Sequence, residues 1–100
     1  MIIATGIITY DPSKRDRAIE LISELVPAVQ AEDGNTTYDY WEHLTTPGTI
    51  RVYEEWRDQV AIAAHMAGPA MAAFLGSIGD IGVTGAEIHT HEVSSSSRLM

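Results

Sequence analysis

The sequence contains no cysteine, which excludes disulfide bonds, thiolate nucleophiles, iron–sulfur clusters and zinc–thiolate sites. Basic residues are also few: six Lys and Arg stand against 14 Asp and Glu. The resulting net charge of −8 repels phosphate backbones and anionic lipid, so no nucleic-acid partner is expected. No apolar run approaches the roughly 18 residues that a transmembrane helix needs, so no membrane span is expected. Because residues 1–9 show no leader pattern, the expected location is the cytoplasm.

The 100 residues, of which 45% are hydrophobic, fit one globular domain. We expect this domain to occupy residues 1–93. The run of serines that begins at Ser94 predicts a polar, disordered tail over residues 94–100.

Hydrophobic periodicity predicts four strands and two helical regions. Helix one, from Ser13 to about Ala31, should kink or break at Pro27, because proline lacks an amide hydrogen. Helix two should be capped by Asp58 and broken at Gly68-Pro69. The strands are expected at Ile2–Tyr10, Thr36–Leu44, Thr49–Trp56 and about Ala86–Val93. Helix one has an apolar stripe that consists of Ala18, Ile19, Ile22, Leu25, Val26 and Val29.

The element order is therefore β-α-β-β-α-β, which is the split βαβ arrangement of a ferredoxin-like α+β fold. Four antiparallel strands then carry both helices on one face of the sheet. The opposite face includes Arg51, Tyr53 and Arg57, which suits a self-complementary contact better than plain exposure to water. A twofold homodimer, built as a dimeric α+β barrel, is expected.

The segment from Tyr53 to His65, YEEWRDQVAIAAH, resembles a hallmark of the antibiotic biosynthesis monooxygenase family: an acidic residue, Trp, a second acidic residue, Ala, and then His. The segment Glu32-Asp33-Gly34-Asn35, followed by Tyr38, is similar to the family's entry into strand two. This resemblance covers about 90 residues.

Members of that family include cofactor-independent oxygenases of anthrones and quinols, haem-degrading enzymes and proteins with no known role. The haem-degrading relatives use an Asn on strand one, a Trp on helix two and a His ligand further along that helix. Thr5, His65 and the neighbourhood of Leu75 stand in the matching places here, so the resemblance disfavours haem. It implies an enzyme without a cofactor that acts on a small aromatic substrate and O2.

An oxygenase without metal or flavin must deprotonate its substrate, which then supplies the electrons. His65 is the leading candidate for the base, because imidazole accepts a proton near neutral pH and its helix is otherwise rich in small residues. The alternative is that His65 only places a cation at a helix C-terminus. Glu54 shares a strand face with Val52 and Trp56, where its carboxylate could orient His65 or act itself. Its alternative role is a structural hydrogen bond.

Five further residues are candidates for substrate binding. Trp56 offers a flat aromatic wall, and Tyr38 and Tyr40 offer phenol hydroxyls from one face of strand two. Asn35 could donate to a substrate oxygen, and Phe74 could line the pocket. The alternatives are core packing for Trp56, stacking across the sheet for the tyrosines and a turn role for Asn35.

His89 and His91 alternate with Glu87 on one strand face, so a metal site is geometrically possible. Imidazoles at this spacing on an exposed strand commonly have no ligand, and no metal is predicted. Phosphate-binding loops, dinucleotide fingerprints and nucleophile elbows are absent from the sequence.

The leading hypothesis is a cofactor-independent monooxygenase of a hydroquinone or an anthrone. Two alternatives stay open. One is a non-catalytic dimeric module that binds a hydrophobic small molecule. The other is an isomerase, cyclase or decarboxylase that uses the same base and pocket without oxygen.

Overall fold

A computed structural model describes residues 1–100, and its helices and strands follow the predicted order. The strands form a single antiparallel sheet in the order β2-β3-β1-β4, which confirms the ferredoxin-like α+β prediction. Two short 3₁₀ segments, Pro12–Lys14 and Ile78–Ile81, precede α1 and follow α3. The elements are β1 (Ile2–Thr9), α1 (Arg15–Gln30), β2 (Asn35–Glu42), β3 (Thr49–Trp56), α2 (Gln59–Met66), α3 (Pro69–Ser77) and β4 (Gly85–Glu92).

The two faces of β3 differ as a period of two requires. Ile50, Val52, Glu54 and Trp56 are buried on the face that the helices cover, whereas Arg51 on the other face is exposed. The register places Glu54 opposite Tyr38 of β2 and Ala4 of β1. Glu54 therefore enters the core in a row of otherwise apolar or aromatic side chains.

Arg57 does not lie on the open sheet face, contrary to the expectation from sequence. β3 ends at Trp56, and the backbone amide of Arg57 donates to the carbonyl oxygen of Gly34 over 2.8 Å. The guanidinium then contacts the carboxylates of Asp33 at 3.1 Å and Asp58 at 3.3 Å. Arg57 consequently ties the turn after α1 to the start of α2.

Helix α1 runs without interruption through Pro27 to Gln30, so the expected break there is wrong. Pro27 lies close to the C-terminal end, where its missing amide removes a single helical hydrogen bond, and the amide of Ala31 donates to the Pro27 carbonyl. The buried stripe also differs from the expected one. Leu21 is buried whereas Ile19 is exposed, and the fully buried positions are Ala18, Leu21, Leu25 and Val29.

Gly34 allows the turn after α1 to pack closely against α2. Its φ is +82°, in the left-handed region, and a Cβ at this position would lie 2.5 Å from the Cβ of Ala61. Only glycine fits both the backbone conformation and this close approach. The turn thereby brings Glu32 next to α2.

The second helical region is broken as predicted. The side chain of Asp58 accepts a hydrogen bond from the amide of Ala61 over 2.9 Å, which caps α2. The helix ends at Met66, and Pro69 begins α3 after Gly68. No single helix is long and apolar enough to cross a membrane; α2 and the bent continuation Pro69–Ile81 meet the length and composition criteria only as a pair.

Strand β4 is the least covered element of the sheet. It pairs along its length with β1, but all eight of its residues are exposed. Since Ile88 lies opposite Gly6 on the helix-covered face of β1, neither face of β4 is buried within the chain. The helices therefore cover the sheet only from β2 to β1.

Candidate active site

A buried histidine lies where the end of α1, the end of β3 and α2 meet. His65 belongs to the last turn of α2, and only 2% of its surface is exposed. Its Nδ1 lies 3.0 Å from Oε1 and 3.3 Å from Oε2 of Glu32. Its Nε2 lies 3.8 Å from Oε1 of Glu54. The imidazole is thus flanked by two carboxylates, one at each ring nitrogen.

Glu54 is buried among aromatic groups and has one strong hydrogen-bond donor. The indole Nε1 of Trp56 donates to Glu54 Oε1 over 2.9 Å. Burial raises the pKa of Glu54, the indole hydrogen bond and the nearby His65 lower it, and the charge of Glu32 raises it further. The raised pKa makes this carboxyl a group that can hold a proton at a higher pH than an exposed glutamate.

Two aromatic rings enclose the imidazole. The Trp56 ring lies 4.6 Å from it, centroid to centroid, at an interplanar angle of 31°. The Tyr38 ring meets it edge to face at 5.7 Å, and the Tyr38 hydroxyl lies 3.1 Å from that of Tyr40. Burial raises the pKa of Tyr38 strongly and that of Tyr40 to about 12, so both phenols stay protonated at neutral pH. The structure therefore brings His65, Glu54, Trp56, Tyr38 and Tyr40 into one continuous cluster.

Asn35 and Phe74 lie outside this cluster. The amide nitrogen of Asn35 donates to the carbonyl oxygens of Thr37 at 3.0 Å and Glu55 at 3.3 Å, which uses both of its hydrogens. Phe74 is buried beside a separate apolar depression of about 140 Å³ between α1 and α3. Neither side chain makes a hydrogen bond or a ring contact with His65, and their roles in substrate binding stay predictions.

A surface groove of about 550 Å³ reaches the histidine. Arg57 and Asp33 contribute charged side chains to its rim, while small residues of α2 and the α2–α3 junction leave the space open. Its lining includes Ala28, Glu32, Ala61, Ala64, His65 and Gly68. Glu54, Trp56 and Tyr38 do not line the groove, so they contact the imidazole from the protein interior.

Glu32 is the member of the site to which sequence reasoning assigns no role. Its side chain is 23% exposed, and it lies 33 residues from His65 in sequence. The acidic residue before Asp33-Gly34 is part of the family-like segment, but nothing in the linear pattern pairs it with a histidine on another helix. The only sequence signal for the position of Glu32 is Gly34. A glycine in the left-handed conformation sets the direction of the turn that contains Glu32.

His89 and His91 are exposed on β4, and Nε2 of His89 lies 3.2 Å from a carboxylate oxygen of Glu87. No group of three or more His, Asp or Glu side chains is arranged to hold a metal ion.

Residues 1–76 match the family model for antibiotic biosynthesis monooxygenase, which spans every residue of the His65 cluster and the groove. The chain belongs to the antibiotic biosynthesis monooxygenase family. A relative from Bacillus subtilis named "Putative monooxygenase YcnE" is 32% identical over 65 residues, which cover 65% of this chain and 68% of that protein. The resemblance inferred from Tyr53–His65 is thereby confirmed.

Two solved structures superpose on all or nearly all of the chain. A Deinococcus radiodurans protein described as a "putative antibiotic biosynthesis monooxygenase" has a TM-score of 0.93 at 24% identity, and the match covers 100% of this chain and 99% of that one. Rv0793 from Mycobacterium tuberculosis has a TM-score of 0.85 at 18% identity, with 97% and 98% covered. At these identities the likeness establishes the fold alone.

Proposed function

We propose that this protein is a cofactor-independent monooxygenase of a small, electron-rich aromatic compound of the hydroquinone or anthrone type. The observation that carries the proposal is the buried imidazole of His65, held between two carboxylates at a groove large enough for such a compound. Small-molecule sites typically enclose about 300–1,000 Å³, and the groove measures about 550 Å³. Membership of the antibiotic biosynthesis monooxygenase family supports the same reaction class.

The proposed reaction needs only a base, a substrate that gives up electrons, and O2. His65 removes a proton from the phenol or from the activated carbon, and the resulting anion transfers electrons to O2. A carbon–oxygen bond forms, the proton held by His65 returns to the peroxide, and loss of water breaks the oxygen–oxygen bond. For an anthrone, the methylene carbon loses two hydrogens and gains one oxygen atom. Those two hydrogens leave with the second oxygen atom as water.

The aromatic residues have an indirect part in this proposal. Trp56 and Tyr38 pack on the imidazole and keep bulk water away from its interior edge. Removing water strengthens every electrostatic interaction at the base. Tyr40 supports Tyr38 through the contact between their hydroxyls.

We further propose that the protein works as a homodimer in the cytoplasm. The sheet face opposite the helices carries Ile3 and Tyr53 half-buried and Ile7 and Arg51 exposed, a mixture of apolar and polar groups that suits a twofold contact. Sedimentation equilibrium tests the pairing. Tyr53→Lys on this face should lower the measured mass towards that of one chain, and an unchanged mass would argue against this interface.

Oxygen uptake by the metal-free, flavin-free protein tests the activity. Uptake with hydroquinones and anthrones should exceed autoxidation, and His65→Ala should remove the excess. His43→Asn is the matched control, because His43 is exposed in the β2–β3 loop and does not line the groove. Equal rates with and without protein across the panel would contradict the proposal. A product of unchanged mass formed without oxygen uptake would indicate an isomerase instead.

A further inference from the structure

We infer that Glu32 is a positioning residue that fixes the tautomer and orientation of the His65 imidazole and leaves Nε2 as the basic atom. Its meaning for catalysis rests on the proposed function. The structural assignment itself concerns only the ring and can be measured without turnover.

Glu32 is held firmly enough for this role. Its backbone amide donates to the Val29 carbonyl over 2.9 Å, and its carbonyl accepts from the amide of Asn35 over 3.2 Å. Both carboxylate oxygens lie within hydrogen-bond distance of Nδ1, at 3.0 and 3.3 Å. Because either oxygen can accept, a small rotation of the carboxylate does not release the ring.

The chemistry of the pair sets the tautomer. An ionised carboxylate accepts hydrogen bonds but has no hydrogen to donate, so the hydrogen of a neutral imidazole must sit on Nδ1 of His65. The lone pair is then on Nε2. This is the arrangement in which a carboxylate behind an imidazole orients it as a general base.

Nε2 is free to accept a proton. The distance of 3.8 Å to Glu54 is too long for a hydrogen bond, and His65 makes no other side-chain hydrogen bond than those to Glu32. Every fully buried side-chain nitrogen and oxygen in the structure has a hydrogen-bond partner. Nε2 has none, so it keeps a small accessible area within the 2% of His65 that is exposed.

The other charged groups around the ring cannot take the place of Glu32. Glu54 approaches from β3, but its nearer oxygen accepts from Trp56 and faces the opposite ring nitrogen. Tyr38 from β2 presents its ring edge to the imidazole. Asp33 and Arg57 line the same groove and are paired with each other.

The test is the nitrogen spectrum of His65 in ¹⁵N-histidine-labelled protein, recorded over a series of pH values so that a ring with one proton is distinguished from a ring with two. Long-range ¹H–¹⁵N correlations distinguish a protonated Nδ1 from a protonated Nε2. Three of the four histidines are exposed, so a variant with His43→Asn, His89→Gln and His91→Gln contains His65 alone and assigns its signal.

The expected result is the Nδ1–H tautomer in the parent protein. Glu32→Ala should shift His65 towards the Nε2–H form, whereas Glu32→Gln should retain Nδ1–H because its amide oxygen can still accept. Glu54→Gln, the matched control on the other ring nitrogen, should also retain it. An Nε2–H ring in the parent protein, or a Glu32→Ala spectrum identical to the parent's, would overturn the assignment.

The parent spectrum decides the question even if Glu32→Ala does not fold. An inactive protein with an Nδ1–H ring would refute the oxygenase proposal and leave the assignment intact. An active protein in which Glu32→Ala leaves the His65 tautomer unchanged would support the oxygenase proposal and refute the role of Glu32.

Discussion

Trp56 contacts both His65 and the carboxylate that faces it. The indole lies 4.6 Å from the imidazole, and its Nε1 donates to Glu54 over 2.9 Å. One fully buried side chain therefore packs against the candidate base and also satisfies the buried acid beside it. The hydrogen bond matters because a buried carboxylate without a donor bears the full cost of desolvation.

Trp56→Phe should destabilise the protein by about 2–4 kcal/mol, because it removes the donor to Glu54 and leaves a cavity in the core. Urea denaturation measures the loss. Trp41→Phe is the control, since 61% of Trp41 is exposed, and its effect should stay within about 0.5 kcal/mol. Equal losses in the two variants would mean that the indole–carboxylate contact contributes little.

Glu54→Gln should change how stability depends on pH. Burial raises the pKa of Glu54 above the ordinary value of 4.5, so between the unfolded and folded values the folded protein keeps a proton that the unfolded chain has released. The free energy of unfolding of the parent therefore falls as the pH rises through this window. The amide that replaces the carboxyl cannot ionise, so the free energy of unfolding of the variant should rise relative to that of the parent as the pH increases above 4.5.

Urea denaturation as a function of pH measures this difference. Glu24→Gln provides the comparison, because Glu24 is exposed on α1. Parallel stability curves for parent and Glu54→Gln would contradict the raised pKa of Glu54.

The tyrosine hydroxyls should lose their protons at a higher pH in the folded protein than in the unfolded chain. Burial raises the pKa of Tyr40 to about 12 and raises that of Tyr38 further, and desolvation also raises the pKa values of Tyr10 and Tyr53. Phenolate absorbance at pH 10.0, the ordinary tyrosine value, should therefore be well below half-maximal in the native protein. The unfolded chain in urea should be half-ionised there. Coincident titration curves would refute the burial effect.

The raised tyrosine pKa values also predict how the stability of the folded protein changes at alkaline pH. Because the folded pKa values exceed the unfolded ones, folding becomes less favourable as the pH rises above 10.0. Tyr40→Phe should weaken this loss. Circular dichroism as a function of alkaline pH measures it.

Gly34→Ala should destabilise the protein by about 2–4 kcal/mol, because alanine disfavours a φ of +82° and its Cβ would lie 2.5 Å from that of Ala61. Gly76→Ala is the matched control on α3, where an added Cβ meets nothing within 4 Å. That substitution should stabilise by about 0.5–1 kcal/mol through helix propensity. Thermal unfolding of the two variants should thus shift in opposite directions, and shifts of the same sign would contradict the role of Gly34.

Local patterns predict part of the site well. Strand alternation has a period of two, so it places Glu54 and Trp56 together on the core face without knowledge of any partner. The cap at Asp58 and the break at Gly68-Pro69 locate His65 at the end of α2 in the same way. These features depend on neighbours within a few residues.

Other features of the site could not be predicted, because they depend on contacts between residues that are far apart in the sequence. The contact between Glu32 and His65 depends on the direction of the Gly34 turn, which no linear spacing encodes. The sequence favours Asn35 as a substrate ligand because a free amide is a good donor, yet its hydrogens go to backbone carbonyls across the turn. In α1, Pro27 lies near the end of the helix and removes only one backbone hydrogen bond, which is too small a loss to break the helix.

The pairing of β1 with β4 has a consequence for the order of folding. This ladder joins Ile2 to Glu92, so it closes nearly the whole chain into a loop, whereas the β2–β3 hairpin closes locally. Closing a long loop costs more conformational entropy, and β4 buries no residue to offset that cost. We therefore expect β4 to join the sheet after the rate-limiting step. Substitutions in β4 should accelerate unfolding and leave the refolding rate almost unchanged.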